Sequence, residues 1–124
     1  MMTTKPNIDI QRVYEASTDA GGAHFLVDRL WPRGIRKEAL ASCTWLKDVA
    51  PSNELRKAFH ADPTQWTAFT HRYEAELDAN RAAWQPVLDA AGRGPVVLLY
   101  GSRDTAHNHA VVLRDYLLRK GKRS

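Results

Sequence analysis

Five consecutive apolar residues, Val96-Val97-Leu98-Leu99-Tyr100, end on Gly101 and lead into a segment of helical periodicity. A run of this length with β-branched members is a strand, and it has no polar position to turn toward water. It therefore has to be covered on both faces, which makes it the centre of a sheet. It is also far too short to span a bilayer.

The remaining segments supply the neighbours and the cover. Ile8 to Tyr14 reads as a strand, with Ile8 and Ile10 alternating against Asp9 and Gln11. Ser17-Thr18-Asp19-Ala20-Gly21-Gly22 is a loop by its turn chemistry, and Phe25-Leu26-Val27 forms the heart of a second strand. Trp31-Pro32-Arg33-Gly34 stops that strand, because proline removes a ladder donor and glycine permits a sharp turn. The link between these two strands is shorter than a normal parallel crossover. Local rules favour an antiparallel pair, with the orientation left open.

The middle of the chain is helical. Ser52 is placed to cap a short helix with Leu55 and Phe59 on one face. Asp62-Pro63-Thr64-Gln65 predicts a second start, with Asp62 as N-cap, proline in the first turn and Gln65 in a capping box. Trp66, Phe69, Tyr73 and Leu77 follow at helical spacing and read as buried core. A third helix is expected after Asn80, with Trp84 and Leu88 inward, Gly92 as its stop, and Pro86 kinking it or delaying its start. After Gly101 a last helix is expected to run to about Lys120, capped by Asp104 or Thr105, with Ala106, Ala110, Leu113 and Leu117 buried. The order predicts a single three-layer α/β domain, a small mixed or parallel sheet flanked by helices. It spans residues 1–124, with the core at about 8–118 and a basic tail at 119–124.

The formal charge of +4 sits in that tail: Arg119, Lys120, Lys122 and Arg123 are four of the 18 basic residues, and the remaining 14 match the 14 acidic ones. A neutral body with a short basic tail makes nucleic acid the second choice of partner rather than the first. Cys43 is the only cysteine, which excludes an internal disulfide and any two-cysteine metal or redox motif. Met1-Met2-Thr3-Thr4-Lys5-Pro6 lacks the apolar core of a signal peptide, so the expected location is the cytoplasm, without membrane attachment.

Several strings read together carry a resemblance. They are Val27-Asp28-Arg29-Leu30-Trp31-Pro32-Arg33-Gly34, Trp45 through Ser52, His60 through Trp66, Arg72 through Leu77, and Leu98 through Ala110. Over roughly residues 8 to 118 the chain resembles the bacterial YeaO-like family of proteins of unknown function. The Arg-Leu-Trp-Pro-Arg-Gly and His-Asn-His-Ala strings make the likeness specific. Thr44 stands where the family pattern has an acidic residue. The resemblance implies one α/β domain in the cytoplasm and brings no activity, cofactor or partner. A nucleotide-type cofactor would want a glycine-rich turn after the first strand, where Glu15-Ala16-Ser17-Thr18 stands instead, so no cofactor is assigned.

Two segments carry chemistry. Arg29, Arg33, Arg36 and Lys37 form the densest positive cluster in the neutral body, and arginine's planar fork suits carboxylate or phosphate. Trp31 beside them reads as a packing anchor. The turn Gly101-Ser102-Arg103-Asp104 lies beyond a strand's carboxyl end, where α/β sheets place ligands, and a following helix would aim backbone N–H groups there. His107 and His109, two apart on a helix, would point about 200° apart and lack metal-ligand spacing, so no metal site is assigned. Asn108, off the buried stripe, is expected to make a first-turn contact. His24, His60 and His71 read as structural or surface residues.

The site expected from sequence is thus an anionic small-molecule pocket at the C-terminal edge of the sheet. Arg29, Arg33, Ser102, Arg103 and Asn108 would bind, His107 would be the acid or base, and Asp104 or Asp28 would orient arginines. The alternative is a nucleic-acid-associated accessory protein using the same arginines and the basic tail. A purely structural interaction module is the third.

Overall fold

A computed structural model describes residues 7–15 and 22–121. Residues 16–21, which include all of the expected Ser17–Gly22 loop but Gly22, the first six residues and Lys122–Ser124 lie outside the described residues.

The sheet has four strands: β1 (Ile8–Arg12), β2 (Ala23–Leu26), β3 (Thr44–Trp45) and β4 (Val96–Tyr100), in the order β1-β4-β2-β3. Every pairing is parallel, with Ile10 opposite Leu98 on one side of β4 and Phe25 opposite Leu98 on the other. The apolar run is central as expected, and Leu98 and Leu99, on opposite faces, are both 0% exposed.

The antiparallel expectation is corrected here. β1 and β2 are not neighbours, because β4 inserts between them and runs parallel to both. Filling both edges and both faces of β4 buries more apolar surface than a local pair would, so the non-local strand wins. Gly22 makes the insertion possible. At φ +100° it turns the chain into β2 so close to β4 that a Cβ there would lie 2.6 Å from the Pro95 carbonyl, which accepts from Ala23 N at 3.0 Å. β1 also ends earlier than expected, with Val13–Glu15 forming a 3₁₀ turn.

Four helices follow: α1 (Asn53–Ala61), α2 (Trp66–Asp78), α3 (Arg81–Ala91) and α4 (His109–Gly121). Their buried side chains, among them Leu55, Tyr73, Val87, Leu113 and Leu117, pack with Phe25, Val27, Val96, Leu98 and Tyr100 on one face of the sheet. The other face, with Leu26, Val97 and Leu99, is covered by Trp31, Ile35, Cys43 and a short 3₁₀ helix (Lys37–Leu40) that inserts Leu40. These are the three layers of one α/β domain. Trp31 is the packing anchor of the thin layer, its indole Nε1 donating to the Ile35 carbonyl at 2.6 Å.

Local signals placed the helices well and some caps badly. Ser52 caps α1 as expected, its Oγ accepting from Leu55 N at 3.2 Å. Asp62 does not cap α2. It ends α1, and its carboxylate is used within the short turn, accepting from Thr64 N at 3.2 Å and from Gln65 Nε2 at 3.3 Å. α3 runs through an exposed Pro86 without any delay; Val87 and Ala90 complete the face that Trp84 begins, and Leu88 is only partly buried. α4 begins at His109, later than expected, with Ala106 exposed ahead of it. Asn108, not Asp104 or Thr105, receives the first-turn amide: its Oδ1 accepts from Val111 N at 3.0 Å while its Nδ2 donates to the Asp104 carbonyl at 2.8 Å. Arg119 and Lys120 belong to the last turn of α4, where Arg119 pairs with Glu74 and Lys120 lies 3.8 Å from Asp78.

Candidate functional site

The parallel order places the chain segments after β2 and β4 at the same edge of the sheet, where Arg29, Arg33 and Ser102 all lie. Between them, α1 and the α2 start lies a cavity of about 810 Å³. Of the residues expected from sequence, Arg29, Ser102, Arg103, Asp104, His107 and Asn108 line it. Arg33 does not. It is exposed, and its anchored atom is the carbonyl, which accepts from Tyr14 Oη at 2.8 Å.

Sequence reasoning missed several lining residues. Arg56, Phe59 and His60 come from α1, and Trp66 and Phe69 from α2. Trp66, expected in the core, is only partly buried and forms wall. Its position at the start of α2, one turn before the buried Phe69, was the available signal, since the end of an amphipathic stripe often overhangs the core.

The charges in the cavity are arranged asymmetrically. Asp104 is satisfied by the protein's own donors and Asp28 in part, its buried Oδ1 receiving no hydrogen bond among the described residues. Asp28 Oδ2 accepts from Gly101 N at 2.9 Å, and its Oδ1 lies 3.0 Å from His109 Nε2. Asp104 Oδ1 accepts from the amides of Ala106 and His107, each at 2.9 Å. Those two amides, His107's first, hold the Asp104 carboxyl below its ordinary range. Neither aspartate orients an arginine, contrary to expectation, because backbone amides reach them first.

The arginines are left without carboxylates. Arg29 donates from Nε to the Pro51 carbonyl at 3.2 Å and from Nη2 to the Ala50 carbonyl at 3.3 Å. Arg56 Nη2 reaches only Asn53 Oδ1, at 3.4 Å, and its buried Nε has no partner among the described residues. Arg103 is exposed and makes no ion pair or side-chain hydrogen bond among the described residues. Ser102 Oγ accepts from Asp104 N at 3.2 Å, which leaves its hydroxyl proton to donate elsewhere.

Two histidines line the cavity, His107 from the segment that leads into α4 and His109 from its first position. His107 is exposed, with Nδ1 3.5 Å from Asp104 Oδ2 and its ring edge-on to Trp66 at 5.0 Å. It precedes α4, so the helical 200° separation expected for His107 and His109 does not apply. His109 is more enclosed. Its Nε2 lies 3.0 Å from both the Val27 carbonyl and Asp28 Oδ1. With an acceptor on either side, Nε2 carries a hydrogen, which is directed at the Val27 carbonyl. Among the described residues no group of three or more His, Cys, Asp or Glu could hold a metal ion.

A sequence profile described as the inactive DUF488-N3 subclade matches residues 7–124. The chain belongs to this family. Among its relatives is the uncharacterized protein YeaO of Escherichia coli (strain K12), 44% identical over 111 residues that cover 90% of this chain and 96% of that protein. The uncharacterized protein Rv3073c of Mycobacterium tuberculosis (strain H37Rv) is 39% identical over 116 residues, covering 94% of this chain and 98% of its own length. The uncharacterized protein Mb3100c of Mycobacterium bovis is similar to the same extent. The resemblance to YeaO-like proteins seen in the motifs therefore holds across nearly the whole DUF488-N3 chain. No solved structure matches it. Among the described residues no helix is long and apolar enough to cross a membrane.

Proposed function

We propose that this cavity binds an anionic small molecule. One observation carries the proposal. Arg29, Arg56 and Arg103 line the cavity with no carboxylate partner among the described residues, while Asp28 and Asp104 each engage backbone amides rather than an arginine. Unpaired guanidinium groups at a partly apolar cavity favour an incoming carboxylate or phosphate, and the fork geometry orients it. The volume also falls in the range of small-molecule sites.

The family's description as inactive supports binding without turnover. His107 and Ser102 then serve as ligand contacts, while Asp104 and the buried Asn108 hold the turn that carries them. Nucleic-acid association has less to rest on, since Arg119 and Lys120 are occupied by Glu74 and Asp78.

The test is thermal. Sulfate or phosphate should raise the melting temperature more than chloride at matched ionic strength. Arg56→Ala and Arg103→Ala should cancel the gain, and Arg33→Ala should respond like the parent. If both cavity variants keep the full response, the pocket is not the anion site.

A further inference from the structure

The cavity wall carries more than the capture of a bare anion needs. Resting on the anion-pocket reading, we propose that the ligand is an aromatic acid, a flat ring bearing a carboxylate or phosphate. Phe59, Trp66 and Phe69 form one cluster in the wall, with centroids 5.7 Å apart for Phe59–Trp66, 4.6 Å for Phe59–Phe69 and 5.7 Å for Trp66–Phe69. Phe69 is buried behind the other two, whereas Phe59 and Trp66 are partly buried and remain reachable from the cavity. Pro51 and Pro63 add apolar surface.

A small hydrated ion would use the arginines and leave this wall wet. Covering a partly buried tryptophan with a ring removes its remaining exposed apolar surface, and the ring's own, from water, and offset or edge contacts between rings add to that gain. The acid group of the same molecule then meets the arginine forks, which also stack on aromatic faces. Both halves of the cavity's chemistry are satisfied by one ligand class.

The experiment titrates the full chain by calorimetry and tryptophan fluorescence with inorganic phosphate, phenyl phosphate, benzoate and cyclohexanecarboxylate. Phenyl phosphate should bind at least about tenfold tighter than inorganic phosphate, from ring burial and stacking. Benzoate should bind about threefold or more tighter than cyclohexanecarboxylate, because only a flat ring stacks. Comparing benzoate with phenyl phosphate shows which acid group the arginines prefer. Trp66→Leu should cut the ratio of phenyl phosphate to inorganic phosphate affinity to about threefold or less, since leucine keeps apolar surface but cannot stack; Phe59→Leu repeats this arm if Trp66→Leu does not fold. Equal affinity for inorganic and phenyl phosphate would overturn the aromatic-acid assignment and leave the anion pocket standing. Equal binding of benzoate and cyclohexanecarboxylate would overturn its aromatic element. Failure of every probe to bind would remove both proposals.

Discussion

Asp28 and Gly101, 73 residues apart, meet at the edge of the sheet so closely that the Asp28 carboxylate accepts from Gly101 N at 2.9 Å. A Cβ at position 101 would lie 2.9 Å from that same oxygen. The glycine is thus fixed by a close approach, and the contact ties the end of β2 to the end of β4 beneath the cavity.

Gly101→Ala should therefore displace the carboxylate and cost about 1–2 kcal/mol, the worth of a charge-assisted hydrogen bond. In an Asp28→Ala background the same substitution should cost clearly less, because the collision is gone. Urea melts of the four members of the cycle measure this coupling. Additive losses would mean that the two residues do not act on one another.

Arg29 and Arg33, four residues apart, are predicted to behave differently. Arg29→Ala removes two donors from the carbonyls of Ala50 and Pro51 and should destabilise by about 1–3 kcal/mol. Arg29→Lys should recover only part of this, since an ammonium lacks the planar fork. Arg33→Ala should stay within about 0.5 kcal/mol, because its contact with Tyr14 uses the backbone carbonyl. Chemical denaturation decides, and equal losses at both positions would refute the distinction.

Trp66 and Phe69 separate wall from core. Phe69→Ala, at 4% exposure, should cost about 3–5 kcal/mol. Trp66→Ala removes a larger side chain but a partly exposed one, and should cost less, about 1–3 kcal/mol. A Trp66 loss equal to or above that of Phe69 in denaturant melts would return the indole to the core.

Tyrosines set an alkaline limit to stability. Tyr73 is buried and donates to the Val49 carbonyl at 2.6 Å; burial, with the charge of Glu76 adding to it, pushes its hydroxyl well above the ordinary 10.0. Tyr116 moves the same way, from burial first and then from its hydrogen bond to Asp78. A folded-state value above the unfolded one means that the stabilisation is complete below pH 10.0 and is lost as pH rises from there toward the folded-state values. Melts should be flat on the neutral side and fall above that point, with a shallower fall in Tyr116→Phe. A parent curve flat through the alkaline range would contradict the burial of these hydroxyls.

The sequence by itself determined the elements whose signal is local. Val96–Tyr100 had to be central because no residue in it tolerates water, and Ser52 could cap α1 because its partner, Leu55, lies within the same turn. It also placed Ser102, Arg103 and Asp104 beyond the carboxyl end of the central strand, where they line the cavity. Where two local partners competed, propensity misled: Asp62 and Asp104 both look like N-caps, and both are held in tight turns by amides two or three residues on. The rest was decided only by tertiary structure. The all-parallel order depends on β4, the last strand in the chain, entering between β1 and β2, and nothing near residues 8–27 encodes that distant insertion. The same insertion brings Asp28 to Gly101 and His109, and the docking of α1 and α2 brings Arg56 and Trp66 to the cavity that Arg29 and Arg103 line. A cavity is the space left between elements, so its lining follows from how those elements dock rather than from any one segment's pattern.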